Sequence, residues 1–287
     1  MIGIEVLVLI ILGFIWVLFA SIQDIRSTEV ANWLNFSLII FALGFRFFYS
    51  LFATNNFIFF YQGIIGLIIF IILGNLFYYL KVFAGGDAKL MIALGTILPL
   101  TNSFSTNIKI MVVFLILFLF VGGFYGLFYG IFLAISHFKN FKKDFVKKIK
   151  NNKKLIILTT ALAIIIAILS ILSESVLIFL AIIIFIIPYL FLFAKSVDES
   201  CMIKSISPFK LQEGDWLYKD LKVKGKTIKS TWDGLSKKEM AMLKRANKKV
   251  MIRQGIPFVP AFLISYLILM IYLFILGYSL WNSYFIF

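Results

Sequence analysis

Two acidic side chains in an otherwise apolar sequence have the type and placement to do chemistry. Asp87 follows two glycines in Phe83-Ala84-Gly85-Gly86-Asp87-Ala88-Lys89-Leu90, at the mouth of an apolar run where a charge is costly. Asp24 stands in a similar place after the first apolar run. Carboxylates that share one site repel each other, and partial desolvation adds to this, so such a pair holds a single proton near neutrality. The ionised partner takes a proton from water and the water attacks an amide carbonyl. The protonated partner polarises the carbonyl oxygen, and the proton later reaches the leaving nitrogen. This chemistry requires no metal or cofactor. An aspartate at a helix mouth also has a purely structural role, accepting the free N–H groups of the first turn. For Asp87 alone the two readings stand level. Gly85 and Gly86 favour the chemical one, because they free the backbone for close approach or a positive φ, as a substrate strand laid against the loop needs.

The elements that must position these acids are membrane helices. Hydrophobic residues make up 62% of the chain and aromatics 18%, and the mean hydropathy is +1.03, far more apolar side chain than a soluble core of this length buries. Eight apolar runs, near 2–22, 36–53, 57–80, 88–104, 109–136, 155–173, 176–194 and 258–284, approach or exceed the length of a spanning helix. The expectation is an all-α polytopic membrane protein of about eight helices with a small cytoplasmic α+β insertion before the last. Its parts are a catalytic core at 1–136, a basic loop at 137–154, two further spans at 155–194, a basic domain at 195–257 and a final span at 258–287. The first run has neither a basic n-region nor a small-residue cleavage site and reads as a retained span.

The net charge of +15 sits in two blocks between apolar runs, which points to anionic lipid of the cytoplasmic leaflet and away from nucleic acid. Lys139, Lys142, Lys143, Lys147, Lys148, Lys150, Lys153 and Lys154 fix the fifth loop in the cytoplasm. Parity then places Asp24, Asp87 and the stretch from Lys195 to Gly255 on that same side of the cell membrane, and the loops at Thr54-Asn55-Asn56 and Thr101 to Asn107 on the other. Arg46, inside the second run, is either paired or snorkelling, and Glu5 lies near enough to the outer end of its run to be solvated. Gly122, Gly126 and Gly130 form a small-residue stripe that lets another helix approach. Cys201 and His137 each stand alone, so there is no disulfide framework, and a zinc site would rest on carboxylates almost unaided.

Within the basic domain, Leu221 and Val223 alternate with Lys222 and Lys224 before Gly225 and Thr227-Ile228-Lys229, the pattern of a hairpin. Ser236 and Glu239 have capping-box spacing, and Met240, Leu243 and Val250 give the following helix a loose apolar side against Lys244, Arg245, Lys248 and Lys249. That helix is expected to break at Gly255, and its face suits either the leaflet or solvent.

Ser21-Ile22-Gln23-Asp24-Ile25-Arg26-Ser27 with Val30-Ala31-Asn32, and Gly85-Gly86-Asp87-Ala88-Lys89-Leu90, resemble the archaeal branch of the type IV prepilin peptidases, which includes the preflagellin (prearchaellin) peptidases. These are membrane aspartyl proteases of the GxGD class that cut class III signal peptides at the cytoplasmic face. The resemblance covers the first four runs and extends more weakly to Gly255-Ile256-Pro257-Phe258-Val259-Pro260-Ala261-Phe262. It implies that Asp24 and Asp87 are the catalytic pair and that pilin-like or archaellin precursors are the substrates. Gly85, Gly86, Lys89, Arg26 and Asn32 are the candidates for shaping the loop or binding substrate. Arg26 and Lys89, each two residues past an aspartate, either hold carboxylate charge or meet lipid phosphate. The chain departs from the family pattern at Ala84, where the first motif glycine is replaced, and at Val30-Ala31-Asn32, where Ile-Pro-Asn is common. It also lacks the paired CxxC motifs of many bacterial relatives.

Three rivals remain. A signal-peptide-peptidase-like protease is faintly suggested by Pro260-Ala261-Phe262. A proton- or cation-coupled transporter would carry its acids near the midplane with interrupted helices in two related halves, neither of which is visible in the sequence. A non-catalytic assembly factor would dock through the basic domain.

Overall fold

The structure, a computed structural model, describes residues 3–172, 177–211, 213–223, 225–231, 234–247 and 249–284. Helices α1 (Ile4–Ser27), α2 (Asn32–Tyr49), α3 (Ile58–Tyr79), α4 (Gly85–Leu94), α5 (Phe104–Ser136), α6 (Phe138–Asn151), α7 (Lys153–Leu172) and α8 (Leu177–Ser200) come first. A π-helical turn at Ser50–Thr54 continues α2. Strands β1 (Ile203–Ile206), β2 (Trp216–Leu217), β3 (Leu221–Val223) and β4 (Lys226–Ile228) follow, then α9 (Lys237–Ala246), β5 (Val250–Arg253) and α10 (Val259–Tyr284). Among the described residues six helices are long and apolar enough to cross a membrane, and Val259–Ile275 of α10 is a shorter apolar stretch. The protein is an all-α polytopic membrane protein with a small strand-containing insertion. Two compact units divide it, one of residues up to Gly126 and from Ile256 onward, the other Leu127–Gly255.

In the first unit α1 packs against α2 and α10, and α2 against α3 and α4. Gly13 leaves room for the Tyr266 hydroxyl, which donates to the Ile10 carbonyl at 2.9 Å. Gly66 of α3 and Gly95 face each other so closely that a Cβ on Gly95 would lie 2.6 Å from the Gly66 carbonyl oxygen. The fourth apolar run does not form the continuous span expected over 88–104. Its helix stops at Leu94 and tightens, with Thr96 N–H donating to Ala93 O and Ile97 N–H to Leu94 O, before Pro99, which has no N–H to continue the ladder. The break is the interrupted helix that apolar length alone conceals.

Broken helices leave orphan carbonyls, which apolar surroundings make expensive. Arg46 satisfies them. Its side chain is fully buried, with Nε donating to Thr96 O at 2.9 Å and Nη1 to Phe59 O at 2.8 Å. Nη2 donates to Pro99 O and, at 3.4 Å, to Ile97 O. The guanidinium also lies 4.4 Å from the Phe59 ring centroid. Of the two expectations for Arg46, pairing is the one realised, and its partners are backbone carbonyls. Beyond the break, Asn107 donates to Gln62 of α3 at 3.0 Å and accepts the Thr101 N–H at 2.9 Å, so the segment still carries the chain to the end of the unit where α3 begins. Near that end Glu5 is half-buried and accepts the Tyr49 hydroxyl at 3.0 Å, in place of the solvated position expected.

In the second unit the basic segment expected as a loop is the helix α6. Its Lys148 turns inward to Asp144 and, at 2.9 Å, to Glu199 of α8, while Lys139, Lys142, Lys143, Lys147 and Lys150 remain exposed. β5 pairs antiparallel with both β1 and β2, and β3 with β4 as the expected hairpin. Ser236 and Glu239 form the capping box of α9. That helix ends at Asn247 in the left-handed region, well before Gly255. Val250 therefore belongs to β5, and Leu243 is buried with Leu217, Ile228 and Ile252. The apolar side of α9 is spent on this small core. Lys224 and Lys248 lie outside the described residues. The glycine stripe of α5 serves rings in place of a helix backbone: Gly122 meets Phe258, Gly130 meets Phe193, and a Cβ on Gly126 would meet nothing within 4 Å.

Candidate active site

Asp24 lies in the last turn of α1, where Thr28, at φ 55, donates its N–H back to the Asp24 carbonyl and ends the helix. Gln23 then accepts the Ala31 N–H at 3.2 Å, holding the return into α2. The Asp24 side chain is buried. Its Oδ2 accepts the backbone N–H of Val259 at 2.8 Å, with the Phe258 N–H beside it. These groups open α10, whose first turn has N–H groups without intrahelical partners and favours negative charge. A residue 235 positions away thus orients the first acid.

Asp87 sits in the first turn of α4, after the N-cap residue Ala84. The Ala84 backbone N–H eases the charge on the Asp87 carboxyl, but no side chain caps α4. Asp87 is also close enough to Asp24 to feel that group's charge. Burial first, and the charge of Asp24 second, push the Asp87 carboxyl up to about 7. The loop before it is fixed by Phe83, buried to 1% exposure. The Phe83 ring centroid lies 5.0 Å from that of Phe77, 5.5 Å from Phe118 and 5.9 Å from Phe262. Lys81 turns this loop at φ 60.

Ala84 is exposed and extended, with φ −69, which explains why alanine is accommodated where the motif has glycine. Gly85 and Gly86 are not at positive φ, so that part of the expectation does not hold. A Cβ on Gly85 would meet only the Tyr78 ring at 3.9 Å, and one on Gly86 would meet Val30 at 3.5 Å. Both distances are ordinary van der Waals contacts, so the start of α4 has no steric need of glycine at either position. Lys89 donates to Asn32 Oδ1 at 2.7 Å, joining the first turns of α4 and α2, where a carboxylate or a lipid phosphate was expected. Arg26 is exposed on the last turn of α1. Sequence reasoning passed over the roles of Val259 and Phe83, although Pro257, Pro260 and the glycine-bounded aromatic loop mark both places. Among the described residues no group of three or more His, Cys, Asp or Glu is placed to hold a metal ion.

The site is thus two acids from separate helices of a helical membrane unit, near enough for the charge of one to act on the other, beside an interrupted helix. Residues 11–138, a segment that includes Asp24 and Asp87, match the Type IV leader peptidase family. A curated protein named preflagellin peptidase from Methanocaldococcus jannaschii is 36% identical over 92 residues, 32% of this chain and 38% of that protein. One of the same name from Methanococcus voltae is 34% identical over 88 residues, 31% of this chain and 37% of that protein. The chain thus spans well under half the length of the curated relatives it matches. No solved structure matches it.

Proposed function

We propose that this protein is a membrane aspartyl endopeptidase that removes the short basic leader from pilin-like or archaellin precursors at the cytoplasmic face of the cell membrane. The observation that carries this reading is that the charge of Asp24 acts on Asp87 inside the segment that matches a leader peptidase family.

Asp87, pushed up to about 7, is suited to hold the proton that the pair shares. Asp24, already accepting the Val259 N–H, is suited to act as the base. It takes a proton from water as the oxygen bonds to the scissile carbonyl carbon, while Asp87 donates to the carbonyl oxygen. When the C–N bond breaks, the proton held by Asp24 passes to the departing nitrogen. The half-exposed backbone at Gly85 and Gly86 is where the extended chain would lie, and the exposed Arg26 is a candidate contact for it. A precursor anchored by its own apolar helix brings the cleavage point to this depth and raises its effective concentration at the site. The exposed lysines of α6 suit contact with anionic headgroups of the cytoplasmic leaflet.

The test is co-expression of candidate precursors with the wild type and with Asp24→Asn and Asp87→Asn, followed by mapping of new N-termini. Wild-type cleavage between leader and apolar helix, lost in both variants, is the expected result. Cleavage that persists in both removes the mechanism.

A further inference from the structure

One buried polar group in the first unit is left over from both the fold and the chemistry above. Asn35 of α2 is 1% exposed, and neither its Oδ1 nor its Nδ2 has a hydrogen-bond partner among the described residues. A carboxamide stranded in this way destabilises the fold relative to a leucine of similar volume. Packing therefore gives no reason for it, and its donors and acceptor await a ligand.

Its neighbourhood follows from the bonds on either side of it. Asn32 and Arg46 lie on the same stripe of α2, and both reach the α4 segment, Asn32 at Lys89 and Arg46 at the Thr96 carbonyl. Asn35 falls between them on that stripe, facing the stretch of α4 that begins with Asp87. Against α1 it is bracketed by the Gln23–Ala31 and Trp16–Ser37 bonds. That places it inward of Asp24, about 6 Å along the helix from Ala31. The surroundings at this depth are apolar, with Leu34, Leu38, Leu90 and Met91 all buried.

We propose that Asn35 is a positioning residue that binds water on the inner side of the carboxylate pair and keeps it there for the reaction. The inference rests on the endopeptidase reading. Hydrolysis consumes a water at each turnover, and an apolar floor beneath two carboxyls does not retain one. A buried water needs two to four polar partners. The carboxamide supplies a donor and an acceptor on one side, and the carboxylates supply the rest on the other.

The test uses the full-length protein in lipid nanodiscs with a synthetic precursor peptide, comparing wild type, Asn35→Leu, Asn35→Ser and Asp87→Asn. Asn35→Leu is expected to lower kcat by about 10- to 100-fold with KM unchanged and a thermal midpoint no lower than that of the wild type. Asn35→Ser, which keeps a hydroxyl and leaves room for water, is expected to recover most of kcat. Wild-type kcat in Asn35→Leu overturns the inference, as does a rise in KM alone, which would place Asn35 against the peptide. Failure of Asn35→Leu to fold, or serine giving no recovery, overturns it too, since either makes the role structural. Cleavage surviving in Asp87→Asn would instead overturn the endopeptidase reading beneath it, an outcome separable from the behaviour of Asn35.

Discussion

Replacing Arg46 by leucine tests how the interrupted helix is held. The guanidinium donates to Thr96 O at 2.9 Å, to Phe59 O at 2.8 Å and to Pro99 O, with Ile97 O more distant at 3.4 Å. Hydrogen bonds to a charged group contribute about 1.5–3 kcal/mol each, so three good ones suggest a gross loss above about 5 kcal/mol. Leucine also removes the cost of burying a charge. The net destabilisation of Arg46→Leu is therefore expected at about 3–5 kcal/mol. Arg46→Lys keeps the charge, but a single ammonium cannot fork between Thr96 and Phe59, which belong to different segments. It should fall between leucine and wild type. Denaturant titration of the purified protein in mixed micelles gives the free energies, and limited proteolysis reads opening of the stretch after Leu94. If Arg46→Leu unfolds within about 1 kcal/mol of the wild type, with Gly95–Leu100 still protected, the guanidinium does not hold the break and the reasoning fails.

The pair's proton gives processing an alkaline limb. With Asp87 at about 7, the rate on a fixed precursor should fall as pH rises through that value, and a rate still climbing at pH 9 would contradict the assignment. Stability carries the same signature with a definite sign: the folded state holds the Asp87 proton above the ordinary 3.8, so wild-type stability declines between about pH 4 and pH 7. The decline is at most about 4 kcal/mol and less for a half-buried group; Asp87→Asn should flatten the curve, as followed by thermal unfolding across pH. Phe83→Ala should cost about 3–5 kcal/mol and lower kcat more than it raises KM, because the loop that sets Asp87 loses its anchor; unchanged kinetics would show that the ring does not position the acid.

Much of this arrangement was legible in the residues, and the illegible part has identifiable causes. Asp24 and Asp87 stand out because ionised groups at the ends of apolar runs are rare, and the capping box and the β3–β4 hairpin are written in local spacing. Apolar length misled at 88–104, where Gly95 and Pro99 end a helix inside a run that looks continuous. Val250 fits the period of α9, but tertiary pairing with β1 claims it for a strand. The partners of Arg46 and Asp24 are backbone groups, which have no side-chain signature, and the Val259 N–H comes from the far end of the chain. Asn35 was invisible for a similar reason: only burial without a partner makes an asparagine conspicuous.

Phe258 fills the space at Gly122, and its ring lies 6.3 Å from that of Tyr125. The chain therefore leaves the first unit and rejoins it at neighbouring points, and the second unit, Leu127–Gly255, is inserted between them in sequence. That insertion carries 23 of the 28 basic residues, yet neither aspartate nor the amide that holds Asp24 belongs to it. Charge can therefore be changed by substitution anywhere in that segment without touching the groups that hold the acid pair.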